Sequence, residues 1–178
     1  MQMYVVLGRF QPFHNGHAYL VESALALGPI TIAIGSSQES WTPEDPWSGD
    51  EREAMIRAWL GEREANIVQI EDICDPPNWV EHAKKTHGEG IIVTSDQETK
   101  NLYEKAGWAV NWVDLTQRDS FEGWRVRSTL KMLSTVVEED AQKEVMSMIL
   151  PDEITDWLLL NDGLYRFYEI SKNINNVG

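Results

Sequence analysis

Apolar positions in this chain follow two rhythms that alternate from one end to the other. Short apolar runs at Met3–Leu7, Ile30–Ile34, Asn66–Ile73, Gly90–Thr94 and Trp108–Val113 have the length and composition of buried strands. Between them lie stretches with helical spacing. Asn15–Leu27 is stopped by Gly28-Pro29, a glycine at a helix end followed by a proline. Ser48-Gly49-Asp50-Glu51 has the capping-box spacing and predicts a helix over Gly49–Leu60, ended by Gly61. Pro76-Pro77 open a short helix near Asn78–Lys85. Ser95-Asp96-Gln97-Glu98 forms a second capping box, with its helix ending near Gly107. After the fifth strand the pattern is helical only, over Gly123–Leu133, Glu138–Met148 and Pro151–Tyr168, with a frayed tail expected over Asn173–Gly178.

Repeated strand–helix–strand units need crossover connections, and these make neighbouring strands parallel. The expectation is a Rossmann-like α/β fold: an open parallel sheet of about five strands with helices on both faces and a helical C-terminal segment. Its length suits a single domain, with an α/β nucleotide-binding core over about residues 1–120 and C-terminal helices over about 121–170.

Composition narrows the partners. The chain has 15 basic and 29 acidic residues and a net charge of −14, which disfavours DNA or RNA as a partner. No run is apolar and long enough to predict a membrane span, and no basic region followed by an apolar core opens the chain. One cysteine, Cys74, leaves no internal disulfide, and a cytoplasmic location is expected. With so few cations, a phosphate ligand would need them gathered, and Arg9, His14, His17, Arg125 and Arg127 are the candidates. Eight tryptophans supply flat apolar surface for a core or for stacking on a base.

The segment Gly8-Arg9-Phe10-Gln11-Pro12-Phe13-His14-Asn15-Gly16-His17 joins the first strand to the first helix. In an open α/β sheet this is a usual place for ligands, and a helix N-terminus there attracts phosphate. His14 and His17, three residues apart at a helix start, can face the same side, and Gly16 allows close approach. Imidazoles so placed can stabilise charge in a displacement at phosphorus. A structural zinc site is disfavoured, since Cys74, His82 and His87 show no ligand spacing with the pair. Neither a P-loop nor Gly-x-Gly-x-x-Gly is present.

Gly8 to His17 resembles the N-terminal signature of the nucleotidyltransferase superfamily with a His-x-Gly-His motif, and in its longer form that of the archaeal-type nicotinamide mononucleotide (NMN) adenylyltransferases. Ile34–Ser40, Glu44-Asp45-Pro46-Trp47-Ser48 and Glu51-Arg52 resemble that family's strand-end and Asn/Asp-Pro-Phe-Thr loop, with Trp47 where the family has Phe. Trp79-Val80 resembles a Trp-Val pair whose Trp stacks on nicotinamide. The Asn often found three residues before that Trp is here Pro76, with Asp75 and Asn78 beside it. Ser120-Phe121-Glu122-Gly123-Trp124-Arg125-Val126-Arg127 resembles the family's Ser-Gly-Thr-x-Ile/Val-Arg, which binds ATP phosphates. Gly123, Val126 and Arg127 match, while Glu122 and Trp124 replace the two hydroxyl residues. Arg125 can pair with Glu122 or contact phosphate directly.

The resemblance implies an enzyme that converts ATP and NMN to NAD and diphosphate, with Mg²⁺ accompanying ATP and no protein-held metal. It implies catalytic roles for His14, His17, Arg9 and Arg127, and ATP contacts from Gly8, Arg9, Phe10, His14, Asn15, Gly16, His17, Gly123, Val126 and Arg127. It implies NMN contacts from Phe13, Gln38, Trp47, Asn78 and Trp79, and a homo-oligomeric state. Two other readings stay open: an adenylyltransferase for nicotinate mononucleotide or another phosphorylated small molecule, and a nucleotide sensor without turnover.

Overall fold

The computed structural model describes residues 2–115 and 121–175. Five strands, β1 (Tyr4–Gly8), β2 (Ile30–Ile34), β3 (Asn66–Gln69), β4 (Ile91–Thr94) and β5 (Val110–Trp112), form one sheet in the order β3-β2-β1-β4-β5. Every neighbouring pair is parallel. Eight α-helices accompany it among the described residues: α1 (Asn15–Leu25), α2 (Gly49–Leu60), α3 (Trp79–His87), α4 (Gln97–Lys105), α5 (Gly123–Leu133), α6 (Glu139–Met146), α7 (Asp152–Leu160) and α8 (Tyr165–Asn175). This is the Rossmann-like sheet the sequence pattern predicts.

The chain divides into two compact units. The first comprises Met1–Arg9, Gly16–Gln38 and Glu62–Thr116 and contains the whole sheet. From β1 the chain steps to β2 and β3, then returns across to β4 and β5. With right-handed crossovers this reversal puts α1 on one face and α3 and α4 on the other. Val80 and Ala83 of α3 and Tyr103 of α4 accordingly share one apolar cluster with Val5, Ala33 and Ile92. Alternate positions such as Val6 and Ile32 point to the other face and are also buried, as expected of a sheet covered on both sides. The reversal makes the gap between β1 and β4 the topological switch point, where ligands of such sheets bind at the carboxyl ends of the strands.

The second unit comprises Phe10–Asn15, Glu39–Gly61 and Gln117–Gly178. Its helices α2 and α7 pack together, as do α5 and α8. Phe13 and Trp59 lie ring to ring at 4.7 Å, and Trp47 meets Phe167 edge-on at 5.6 Å.

Several expected boundaries are corrected. β1 runs Tyr4–Gly8 rather than Met3–Leu7, and α1 ends at Leu25. β3 stops at Gln69, β4 begins at Ile91 and β5 spans only Val110–Trp112. Pro76–Asn78 form a 3-10 turn, and α3 follows as Trp79–His87. The cap of α4 is Asp96, not Ser95, because the Asp96 carboxylate accepts from the Thr99 N–H at 2.7 Å. α6 is shorter than Glu138–Met148. The expected long helix Pro151–Tyr168 is two helices, broken where Asp162 takes φ 53° and the Gly163 N–H returns to the Leu158 carbonyl at 2.7 Å. A Cβ at Gly163 would stand 3.1 Å from the Leu158 backbone, so this turn requires glycine. α8 continues to Asn175, through part of the tail expected to fray, while residues 176–178 and Ser120 of the fourth motif lie outside the described residues.

Candidate active site

The first unit supplies strand ends and a helix start. β1 closes at Gly8, which pairs in register with Ile34, and the Gly35 N–H donates to the Gly8 carbonyl at 2.9 Å. Arg9 follows, exposed. Gly16 and His17 sit in the first turn of α1, which carries no acidic residue there. That helix end therefore presents amide N–H groups and a positive dipole end with no carboxylate in the turn to compete for an anion. Gly16 is buried and His17 half-buried.

Gln38 follows β2, and its carboxamide is engaged with backbone. Its Oε1 accepts the Asp72 N–H at 2.9 Å and its Nε2 donates to the Asp72 carbonyl at 3.3 Å. The loop beyond is shaped by its own side chains. The Asp72 carboxylate accepts the Cys74 N–H at 2.9 Å, and Asn78 Nδ2 donates to Asp75 Oδ2 at 2.8 Å. These bonds lead into Trp79, the first residue of α3, whose half-buried ring rests against the apolar cluster. Thus Gln38 and Asn78, expected to touch NMN, hold the loop that precedes Trp79.

The second unit holds the other half of the first motif. Phe10, Phe13 and Trp47 are buried, at 1%, 0% and 0% exposure, and present no free ring surface. Of the three aromatic residues expected at NMN, Phe13 and Trp47 are packed in the interior and Trp79 is half-buried. Asn15 uses its backbone N–H on the Ile149 carbonyl at 3.1 Å and its side chain on the Met148 carbonyl at 3.4 Å.

His14 is 4% exposed and stacks on Phe121 at 6.3 Å with 13° between the rings. Burial lowers its pKa to about 4, and the Arg127 charge adds to the effect. Its imidazole is therefore neutral at pH 7.

Arg127 is organised at the N-terminus of α5. Its Nη1 donates to the Gln11 carbonyl at 3.1 Å, and the guanidinium folds back over Gly123. Arg127 also lines a cavity of about 520 Å³, with Trp124, Ser128 and Lys131 of α5 and Phe167 and Ile170 of α8. Val126 is buried. Glu122, the carboxylate in place of a hydroxyl, accepts from Trp124 Nε1 at 2.7 Å and from Arg125 Nε at 3.3 Å. Arg125 is thus paired with Glu122 and lies over the Trp124 ring at 4.7 Å.

Two residues important here escaped the sequence reading. Gln11 is 3% exposed and bonded to both backbone polar groups of Trp47. Arg166 of α8 grips both oxygens of the Glu51 carboxylate, donates to the Pro46 carbonyl at 2.7 Å and lies 3.8 Å from the Trp41 ring centre. Burial pushes the Glu51 pKa up, but the Arg166 hydrogen bonds and charge and the Ser48 N–H outweigh it and leave it lowered. Glu51 also completes the expected capping box with Ser48. Arg166 had no sequence signal, since its partners lie 115 and 120 positions away. Gln11 lay inside a motif already singled out.

The chain belongs to the cytidylyltransferase-like family, whose profile matches residues 5–153. Within that class its relatives include the nicotinamide-nucleotide adenylyltransferase of Picrophilus torridus, 31% identical over 175 residues that cover 94% of this chain and 96% of that one. The nicotinamide-nucleotide adenylyltransferase of Archaeoglobus fulgidus is 30% identical over 175 residues, covering 93% and 95%. In fold the chain is similar to a bifunctional NMN adenylyltransferase/ADP ribose pyrophosphatase from Francisella tularensis, with a TM-score of 0.64 and 18% identity. That match covers 97% of this chain and 56% of the other, so the chain spans little more than half that protein's length. A second structure of the Francisella tularensis enzyme, complexed with AMP and a manganese ion, gives a TM-score of 0.59 at 18% identity, again covering 97% of this chain and 56% of that one.

Proposed function

We propose that this chain is an NMN adenylyltransferase, forming NAD and diphosphate from ATP and NMN. An oxygen of the NMN phosphate attacks the α-phosphorus of ATP, the bond from that phosphorus to the bridging β-oxygen breaks, and diphosphate leaves with the bonding pair. Such a reaction needs alignment and charge stabilisation and no covalent enzyme intermediate. The observation that carries the reading is the Arg127 guanidinium, fixed at the start of α5 by the Gln11 carbonyl. Near-full-length similarity to nicotinamide-nucleotide adenylyltransferases supports it.

In this reading Gly8, Gly16 and the first amides of α1 receive the triphosphate, and His17 donates to the α-phosphate as charge builds there. Arg9 and Arg127 hold the β- and γ-phosphates. Neutral His14 contributes a hydrogen bond rather than a charge. Gly123 opens α5 beside Arg127, while Phe10, Asn15 and Val126 act through packing and main-chain bonds. Trp79 stacks on the nicotinamide ring, an aromatic face against a cationic ring. Gln38 and Asn78 act on NMN through the loop before Trp79.

Among the described residues, no group of three or more His, Cys, Asp or Glu side chains is arranged to hold a metal ion. In this reading Mg²⁺ arrives with ATP, where it neutralises phosphate charge. Among the described residues no helix is long and apolar enough to cross a membrane. The reading places the enzyme in the cytoplasm as a homo-oligomer, with nucleotides rather than nucleic acid as ligands.

The test compares kcat/KM for NMN, nicotinate mononucleotide and other phosphorylated acceptors. NMN is expected to be among the efficient acceptors. Turnover with a different acceptor alone would reassign the substrate, and saturable ATP binding without turnover on any acceptor would make the protein a sensor.

A further inference from the structure

Gln11 makes four hydrogen bonds, and together they tie the arginine of α5 to the loop that leads into α2. Its Oε1 accepts the Trp47 N–H at 3.1 Å. Its Nε2 donates to the Trp47 carbonyl at 2.8 Å and reaches Asp45 Oδ1 at 3.4 Å. Its own carbonyl accepts Arg127 Nη1 at 3.1 Å. The carboxamide thus pairs with Trp47 as a neighbouring strand would, although the partners are 36 positions apart. At 3% exposure, with the carboxamide oxygen and nitrogen both engaged, the side chain has no surface to offer a ligand.

The loop it grips is held from several sides. The Thr42 N–H donates to the Asp45 carbonyl at 3.2 Å, and the Asp45 N–H to Thr42 Oγ1 at 2.9 Å. Arg166 holds the Pro46 carbonyl. Gln11 is therefore fixed to a braced loop, and through its main chain it presents a fixed carbonyl to Arg127. A guanidinium held in this way needs little reorganisation when an anion arrives, the condition under which electrostatic contacts contribute most.

We infer that Gln11 is a positioning residue for anion binding: its side chain, locked to Trp47 and Asp45, holds the carbonyl that aims Arg127 at the phosphates released as diphosphate. This rests on the adenylyl-transfer reading for the identity of the anion. It assigns to the glutamine of the first motif a structural action on the arginine of the fourth, and no direct contact with substrate.

The experiment measures binding of ATP and of diphosphate by titration calorimetry to the full-length protein, to Gln11→Met, to Arg127→Ala and to the double variant. Gln11→Met preserves length and removes all three side-chain bonds. Gln11→Glu, which retains an acceptor for the Trp47 N–H, serves if the Met variant does not fold, and thermal melting reports folding for each. Expected is about a tenfold loss of diphosphate affinity in Gln11→Met, with little further loss when it is added to Arg127→Ala. A merely structural role would lower the melting temperature and leave the affinity of the folded protein unchanged. Unchanged affinity in a folded Gln11 variant, or losses that add fully in the double variant, would overturn this inference alone. Failure of the unsubstituted protein to bind ATP and diphosphate would overturn the adenylyl-transfer reading and this inference with it.

Discussion

Arg127 and Gly123 are one turn apart on α5, and the arginine occupies the space a side chain at Gly123 would take. A Cβ built at Gly123 would stand 3.0 Å from Arg127 Nη1. The glycine therefore lets the guanidinium lie back over the start of its own helix, within reach of the Gln11 carbonyl.

Gly123→Ala should accordingly displace Arg127 rather than unfold the protein, because the crowded atom is the end of a flexible side chain. The KM for ATP should rise about tenfold, equivalent to about 1.4 kcal/mol, with the melting temperature nearly unchanged. Steady-state kinetics and a thermal melt on one preparation check both parts. An unaltered KM would detach Arg127's position from triphosphate binding.

Arg166 and Glu51 join α8 to the start of α2, with Trp41 over the guanidinium. Their side chains are only 13% and 28% exposed, so the pair is less screened than a surface ion pair. Arg166→Met should lower unfolding free energy by about 2 kcal/mol, since it leaves the half-buried Glu51 carboxylate and the Pro46 carbonyl without these donors. Urea denaturation at pH 7 measures it. A change within about 0.5 kcal/mol, the range of ordinary surface substitutions, would contradict the clamp.

His14 gives the protein an acid-sensitive stability. Its pKa is about 4 in the folded state against an ordinary 6.5. Between these values the unfolded chain binds the proton more readily. The stability is therefore full above about pH 6.5 and falls as the pH drops toward 4, by an amount on the order of 3 kcal/mol from this group. His14→Gln should flatten that part of the stability–pH curve. Denaturation series for both proteins between pH 4 and 7.5 check it, and parallel curves would show that His14 titrates normally.

Trp79→Ala should raise the KM for NMN by about tenfold while leaving the KM for ATP near its original value, because the ring is assigned to the acceptor only. Equal effects on both substrates would point to a general disturbance of α3.

Much of this was legible in the sequence, for identifiable reasons. The bounds of β2, α2 and α5 are those expected, since glycines and a complete capping box mark them locally. The break at Gly163 was missed because apolar periodicity continues through Asn161-Asp162-Gly163, and only the close approach of Leu158 shows why the helix must stop. At Ser95-Asp96 two adjacent residues could cap, and the Thr94 hydroxyl, which accepts the Asp96 N–H at 3.0 Å, accompanies the second choice. His14, His17 and Arg127 stand out in the sequence as motif residues. The burial of Phe13 and Trp47 was not, because a loop aromatic reads the same whether it faces ligand or core. The grips of Gln11 and Arg166 join positions far apart in sequence, where no local pattern registers.

The central claim is tested most directly by following isotopic label from ATP with NMN and Mg²⁺ present. Phosphorus label at the α-position should appear in NAD, and label at the β- and γ-positions in diphosphate, in equal molar amounts. His17→Ala should slow this by orders of magnitude with ATP binding largely retained, as expected of a contact made mainly in the transition state. Alpha label absent from NAD, or released as AMP whether or not NMN is present, would contradict the account.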